Sequence, residues 1–110
     1  MDESAALAAF SALSQPARLS AFRRLIAAGR SGLAAGEIAE ALDVRQNTMS
    51  SNLTILVQSG LVRRVRHGRS IRYYAEIDAL RGLLAFVVEQ CCGGHPEVCQ
   101  PLLNEITLAS

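Results

Sequence analysis

From Ser4 to Leu13 the residues Leu7, Phe10 and Leu13 recur at three-residue steps in an alanine-rich frame, which predicts a short helix with a narrow apolar stripe. Ser14 is expected to cap a second helix, with Pro16 in its first turn, Leu19, Phe22, Leu25 and Ile26 along it and Gly29 closing it. A third, short helix fits Gly36 to Leu42, with Ile38, Ala39 and Leu42 inward, and Asp43-Val44-Arg45 makes a tight connection. The next helix runs from about Gln46 to Ser59 and stops at Gly60, with Met49, Leu53, Leu56 and Val57 on one face. Its other face, Gln46, Asn47, Ser50, Ser51, Thr54 and Gln58, is polar and uncharged. After Gly60 the period becomes extended: Leu61 to Arg66 and Arg69 to Ala75 read as two strands of a hairpin turning at His67-Gly68. Asp78 is expected to cap a last long helix through Leu80, Leu83, Leu84, Val87 and Val88, halted by Gly93-Gly94, and Leu102, Leu103, Ile106 and Leu108 fit one further helix.

The pattern gives a mainly α fold with one β-hairpin (α+β). At 110 residues it spans a single domain, 1–110, long enough to bury a core without disulfides. The longest apolar run, Leu83 to Val88, is far short of the roughly 18 to 20 residues of a membrane span, and the acidic start Met1-Asp2-Glu3-Ser4 is unlike a signal peptide, so a cytoplasmic location is expected. The formal net charge of +1 argues at first against nucleic acid as a partner. Resolved along the chain it does not. There is no lysine, and Arg45, Arg63, Arg64, Arg66, Arg69 and Arg72 all fall between Val44 and Ala75, a stretch without Asp or Glu.

A short helix, a three-residue turn and a longer helix with a neutral polar face have the layout of a helix-turn-helix; the arginine hairpin that follows has the layout of a wing. A solvated helix face usually carries Glu and Lys, whereas Gln, Asn, Ser and Thr suit base edges and phosphate oxygens. An arginine run beside an ordinary scaffold would be no more than a protected edge strand, so the neighbouring helix decides the reading. Double-stranded operator DNA is the expected partner, contacted by Arg45, Gln46, Asn47, Thr48, Ser50, Ser51, Asn52, Thr54, Arg64, Arg66, His67, Arg69 and Arg72.

From Leu13 to Val88 the chain resembles the ArsR/SmtB family of winged-helix metalloregulators. The matching segments are Leu13-Ser14-Gln15-Pro16-Ala17-Arg18-Leu19, Gly36-Glu37-Ile38-Ala39, Asn47-Thr48-Met49-Ser50-Ser51-Asn52-Leu53 and Ser59-Gly60-Leu61-Val62 followed by the arginines. Asn52 departs from the family's usual Ser-x-His-Leu histidine, which leaves the operator sequence open. The resemblance implies a winged helix-turn-helix homodimer that pairs through its first and last helices. It assigns dimerisation to Leu7, Phe10, Leu13, Leu80, Leu83, Leu84 and Val87 and sets the two recognition helices about 34 to 36 Å apart on a palindromic site.

Cys91, Cys92 and Cys99 are the whole cysteine inventory and form a candidate thiolate segment, 91–99. In a reducing compartment an odd, clustered set reads as a thiol site before a disulfide frame. Adjacent helical residues point about 100° apart, so Cys91 and Cys92 converge only where the helix ends, and Pro96 and the loop return Cys99 to them. Three thiolates suit a soft, three-coordinate ion, As(III) or Sb(III), acting as inducer; no cofactor is obligatory. Zinc, cadmium or lead with His95 as a candidate fourth ligand, and a redox or persulfide switch, are the alternatives. Family arsenic sensors with a Cys-Val-Cys motif on the third helix differ here, since Ala34-Ala35-Gly36 carries no thiol; members with a vicinal Cys-Cys pair and a later Cys resemble this chain and are arsenite-responsive repressors. Release of DNA on ligand binding is likewise what the resemblance implies. An enzyme is not expected, because no Cys-x-x-Cys, Ser/His/Asp set, phosphate loop or acid dyad is present.

Overall fold

The computed structural model describes residues 1–91 together with His95, Glu97, Gln100, Pro101, Asn104 and Glu105. Helix α1, Glu3–Leu13, is capped by Asp2, whose carboxylate accepts the Ala5 amide at 2.7 Å. Its inward face is alanine: Ala6, Ala9 and Ala12 are buried, which lets α1 lie close to its neighbours and turns Leu7 and Phe10 outward. Ser14 terminates α1 instead of starting the second helix, its amide and hydroxyl both donating to the Ser11 carbonyl. The expected Ser14 cap is therefore replaced by Gln15, whose side chain accepts the Arg18 amide at 2.9 Å and precedes Pro16 at the first position of α2, Pro16–Ala28. Phe22 and Leu25 point inward from α2, whereas Leu19 and Ile26 remain exposed.

A short 3-10 turn, Gly29–Ser31, leads to Gly32 and to a contact that hydrophobic periodicity does not signal: Leu33 exchanges two backbone hydrogen bonds with Tyr73, at 3.0 and 2.8 Å. Helix α3, Ala35–Leu42, starts with the Glu37 carboxylate accepting the Ala34 amide and ends on Asp43, the one non-glycine residue with positive φ among the described residues (55°). Helix α4, Gln46–Gln58, buries Met49, Leu53 and Leu56. Strands β1, Val62–His67, and β2, Ser70–Ala75, pair antiparallel with Val62 opposite Ala75 and His67 opposite Ser70. The turn residues are thus Gly68-Arg69, one position later than expected. Gly68 has φ +64° and Arg69 is not left-handed, which is the arrangement of a II′ turn with glycine first. His67 belongs to β1.

Helix α5, Ile77–Phe86, begins after Glu76; Asp78 sits in its first turn, paired with Arg81, and is not the cap. The helix continues as a single π turn, Val87–Cys91. Gly93-Gly94, the expected stop, and Leu102, Leu103, Ile106 and Leu108 lie outside the described residues. The core is one cluster in which Leu25, Ile38, Met49, Leu53, Leu56 and Leu61 are fully buried, each worth about 1.5 to 3 kcal/mol relative to exposure. Among the described residues no helix is long and apolar enough to cross a membrane.

Gly32 joins α2 to this core at φ 61°, ψ −175°, a region essentially reserved for glycine, and a Cβ there would lie 2.5 Å from the Tyr74 ring and 2.7 Å from the Tyr73 carbonyl oxygen. Gly29 also has positive φ, with nothing within 4 Å of its Cβ position. Gly32→Ala is expected to cost about 3 kcal/mol, strain and overlap together, and Gly29→Ala about 1 to 2 kcal/mol from strain alone. Urea denaturation of the two variants checks the difference; equal losses would show that the ring contact is harmless.

Candidate nucleic-acid interface

Burial of Met49, Leu53 and Leu56 fixes the rotation of α4, leaving Gln46, Asn47, Thr48, Ser51, Thr54 and Gln58 exposed as an uncharged face in which Ile55 is the one apolar member. Local hydrogen bonds decide what that face offers. The Ser51 hydroxyl donates to the Asn47 carbonyl at 3.2 Å and the Thr54 hydroxyl to the Ser50 carbonyl at 3.0 Å, so both turn oxygen lone pairs outward as acceptors. Asn47 Oδ1 accepts the Thr48 amide at 2.9 Å, which leaves the Asn47 amide group to donate. The helix start has no acidic residue in its first turn and no side-chain cap from Arg45, so its free amides, its dipole and the Arg45 charge all favour an anion. Ser50 and Asn52 are half-buried, and Asn52 Oδ1 accepts from Arg18 Nη1 at 3.3 Å. Asn52 is therefore committed to its own subunit in a way that its sequence position did not reveal.

The hairpin arginines divide into two groups. Arg64 and Arg66 share the strand face of Val62 and are exposed, with Arg69 exposed at the turn. Among the described residues no carboxylate pairs with Arg45, Arg64, Arg66 or Arg69. Arg63 projects on the other face, its guanidinium 4.5 Å from the centroid of the Tyr74 ring and its Nε 3.1 Å from Glu76. His67 lies beside the same ring, Nε2 3.2 Å from the Tyr74 hydroxyl. Arg72, expected to contact DNA, is directed inward: it donates to the Ser31 and Gly32 carbonyls, both at 3.0 Å, and pairs with Glu37 at 3.5 Å. Its register opposite Val65, on the face of Arg63 and away from Arg64 and Arg66, explains the difference. Arg72 ties the wing to the turn after α2.

Elsewhere on the surface, Met1, Leu7, Phe10 and Leu84 are exposed, and Met1, Leu7, Phe10 and Phe86 line a groove of about 550 Å³. Leu13 and Leu80 are half-buried against the core, and Val87 is half-buried in the π turn. Leu83 departs from expectation. It is 3% exposed within its own subunit because the α5 helix turns it onto the core, so it is not part of the outward set, and Met1 joins that set instead. The thiol segment is described only in part: the backbone of Cys91 ends the π turn, while Cys92 and Cys99 lie outside the described residues. His95 is exposed, its Nδ1 3.4 Å from Glu97. Among the described residues no group of His, Cys, Asp or Glu forms a metal-holding cluster.

Comparison with known proteins agrees with this geometry. A family model described as a helix-turn-helix domain matches residues 13–65, from the end of α1 into β1. No curated protein matches the sequence significantly. Among solved structures the chain is similar to an ArsR-like transcriptional regulator from Rhodococcus sp. RHA1, with 25% identity over 97% of this chain and 96% of that one and a TM-score of 0.71. It is also similar to the homodimeric winged helix-turn-helix DNA-binding domain of a Mycobacterium bovis protein, with 28% identity, coverage of 84% and 85% and a TM-score of 0.64. A third is the transcriptional repressor BigR from Xylella fastidiosa, with 27% identity, coverage of 77% and 85% and a TM-score of 0.59. An α3-turn-α4 unit with a neutral polar face and an arginine hairpin after it give the chain a winged helix-turn-helix fold, similar to that of ArsR-type transcriptional regulators, with a helix-turn-helix domain over residues 13–65.

Proposed function

We propose that the chain is a metalloid-responsive repressor that binds operator DNA as a homodimer and is released when As(III) or Sb(III) binds Cys91, Cys92 and Cys99. The observation that carries the DNA half is the exposed, uncharged face of α4 flanked by Arg45, Arg64, Arg66 and Arg69, cations with no carboxylate partner among the described residues. Bases are read from α4 and phosphates are held by the wing. The dimer is supported by Leu7, Phe10 and Leu84, exposed at 61%, 44% and 55%, apolar area that a second copy removes from water. The homodimeric Mycobacterium bovis domain to which the chain is similar supports the same arrangement.

The ligand half rests on thiol chemistry. Arsenous acid condenses with three thiols and releases three waters without a change of oxidation state, and its lone pair occupies the fourth direction, so no further ligand is needed. The segment begins at the end of the π turn that continues α5, whose outward Leu84 lies on the proposed dimer face, so a ligand bound there acts on the helix that sets the spacing of the two wings. A coupling of about 1 to 3 kcal/mol suffices to release a promoter.

Arg66→Ala is expected to weaken DNA binding at every sequence alike and to lower the salt-dependence slope by about one. Arg72→Ala is expected to leave that slope unchanged and to reduce stability by about 1 to 3 kcal/mol, because the Ser31 and Gly32 carbonyls lose a charged donor. Fluorescence anisotropy at several salt concentrations, with thermal melts, separates the two; equal slopes for Arg66→Ala and wild type would refute the phosphate role of the wing.

Arsenite is expected to lower operator affinity roughly 5- to 150-fold, and Cys99→Ser to remove the response while leaving apo binding intact. A gel-shift titration tests this. Unchanged affinity with arsenite, or a full response from Cys99→Ser, would overturn the metalloid reading; release by peroxide or polysulfide with a disulfide or sulfur bridge in the mass spectrum would replace it with a thiol redox switch.

A further inference from the structure

Arg18, in the first turn of α2, makes three side-chain contacts that reach two other helices, α1 and α4. Its Nε donates to the Ala12 carbonyl at 2.6 Å and its Nη2 to the Ser11 carbonyl at 3.5 Å, both in the last turn of α1. Its Nη1 donates to Asn52 Oδ1 on α4 at 3.3 Å. The last carbonyls of a helix lack partners within it and carry the negative end of its dipole. Among the described residues Arg18 has no carboxylate partner, so the end of α1 is what balances its charge. A rigid planar fork can serve both directions at once, which a lysine ammonium on a flexible stem cannot.

We propose that Arg18 is the positioning residue that sets the recognition helix α4 against α1, and that Asn52 contributes to DNA binding through Arg18 instead of by reading a base. The inference rests, for its DNA readout, on the repressor reading above. Asn52 lies between exposed Ser51 and buried Leu53, at the edge of the reading face, and its acceptor oxygen is taken. Helix α1 carries Leu7 and Phe10 outward, so a change in how α1 meets a second copy reaches α4 through one side chain as well as through the core.

The test uses the full chain with Arg18→Lys, Asn52→Ala and the double variant, each confirmed folded by circular dichroism. The probe is a duplex selected by the wild-type protein from a random-sequence library. Each single variant is expected to lose affinity about 5- to 50-fold and the double variant no more than the worse single, with the salt slope and the base preference at every position unchanged. Additive losses, or relaxed discrimination at one position in Asn52→Ala, would make Asn52 a base reader and overturn the proposal. A second measurement needs no DNA: Asn52→Ala is expected to shift the backbone amide resonances of Ser11, Ala12 and Ser14 in the free protein, and an unchanged α1 terminus would refute the link. If the wild type selects no duplex, the repressor reading fails, and the resonance shifts still decide whether Arg18 joins the two helices.

Discussion

The rotation of α4 about its own axis is the constraint on which the rest of this structure depends. Met49, Leu53 and Leu56 are fully buried at the centre of the core, and a turn of about half a revolution would exchange them for Ser51, Thr54 and Gln58. The core thereby selects which polar groups face a partner, and hydrogen bonds within the helix then select their sense: hydroxyls of Ser51 and Thr54 as acceptors, the amide of Asn47 as donor. Stability and recognition use opposite sides of the same thirteen residues. The wing depends on this arrangement, because Leu61 and Val62 enter the same core and fix where Arg64 and Arg66 emerge.

Charge is distributed by a similar division of labour. Glu37 and Glu76 each pair with one hairpin arginine, Arg72 and Arg63 respectively, and those two arginines share a strand face. The other face keeps Arg64 and Arg66 free of carboxylates among the described residues. A nearly neutral chain can therefore present a cationic edge, provided its acids neutralise the arginines that hold the hairpin in place and leave alone those that project from it.

The elements were legible in the sequence wherever a period or a turn residue carried them. Apolar spacing marked helices α1 to α5, and the change of period after Gly60 marked the hairpin. Local chemistry was less visible. Ser14 and Asp78 are common helix starters, yet Gln15 and Glu76 precede the observed helices, since Ser14 is already engaged by the end of α1. His-Gly suggested one turn and Gly-Arg formed it, because the pairing of His67 with Ser70 leaves only Gly68 and Arg69 between the strands. Residues whose role depends on distant partners were hidden altogether: Arg72 reaches Ser31, Leu33 meets Tyr73, and Arg18 meets Asn52 across 34 positions. Leu83 was assigned to the dimer face through the resemblance and its apolar character, and which apolar residue of a helix faces its own core is settled by packing.

The alanine face of α1 has a consequence for how the protein responds to its own concentration. Ala6, Ala9 and Ala12 each bring about one methyl group to the core, roughly 0.8 kcal/mol apiece, so α1 adheres weakly to the subunit that carries it. Of its large residues Leu13 packs against the core, whereas Leu7 and Phe10 stay exposed and gain most of their burial in the proposed dimer. If two chains associate as proposed, ordering of the first helix and association are linked equilibria, and dilution would loosen α1 before it disturbs the core around Leu53. In the proposed dimer such a subunit would report the abundance of its partner in the integrity of its own first helix, Glu3–Leu13.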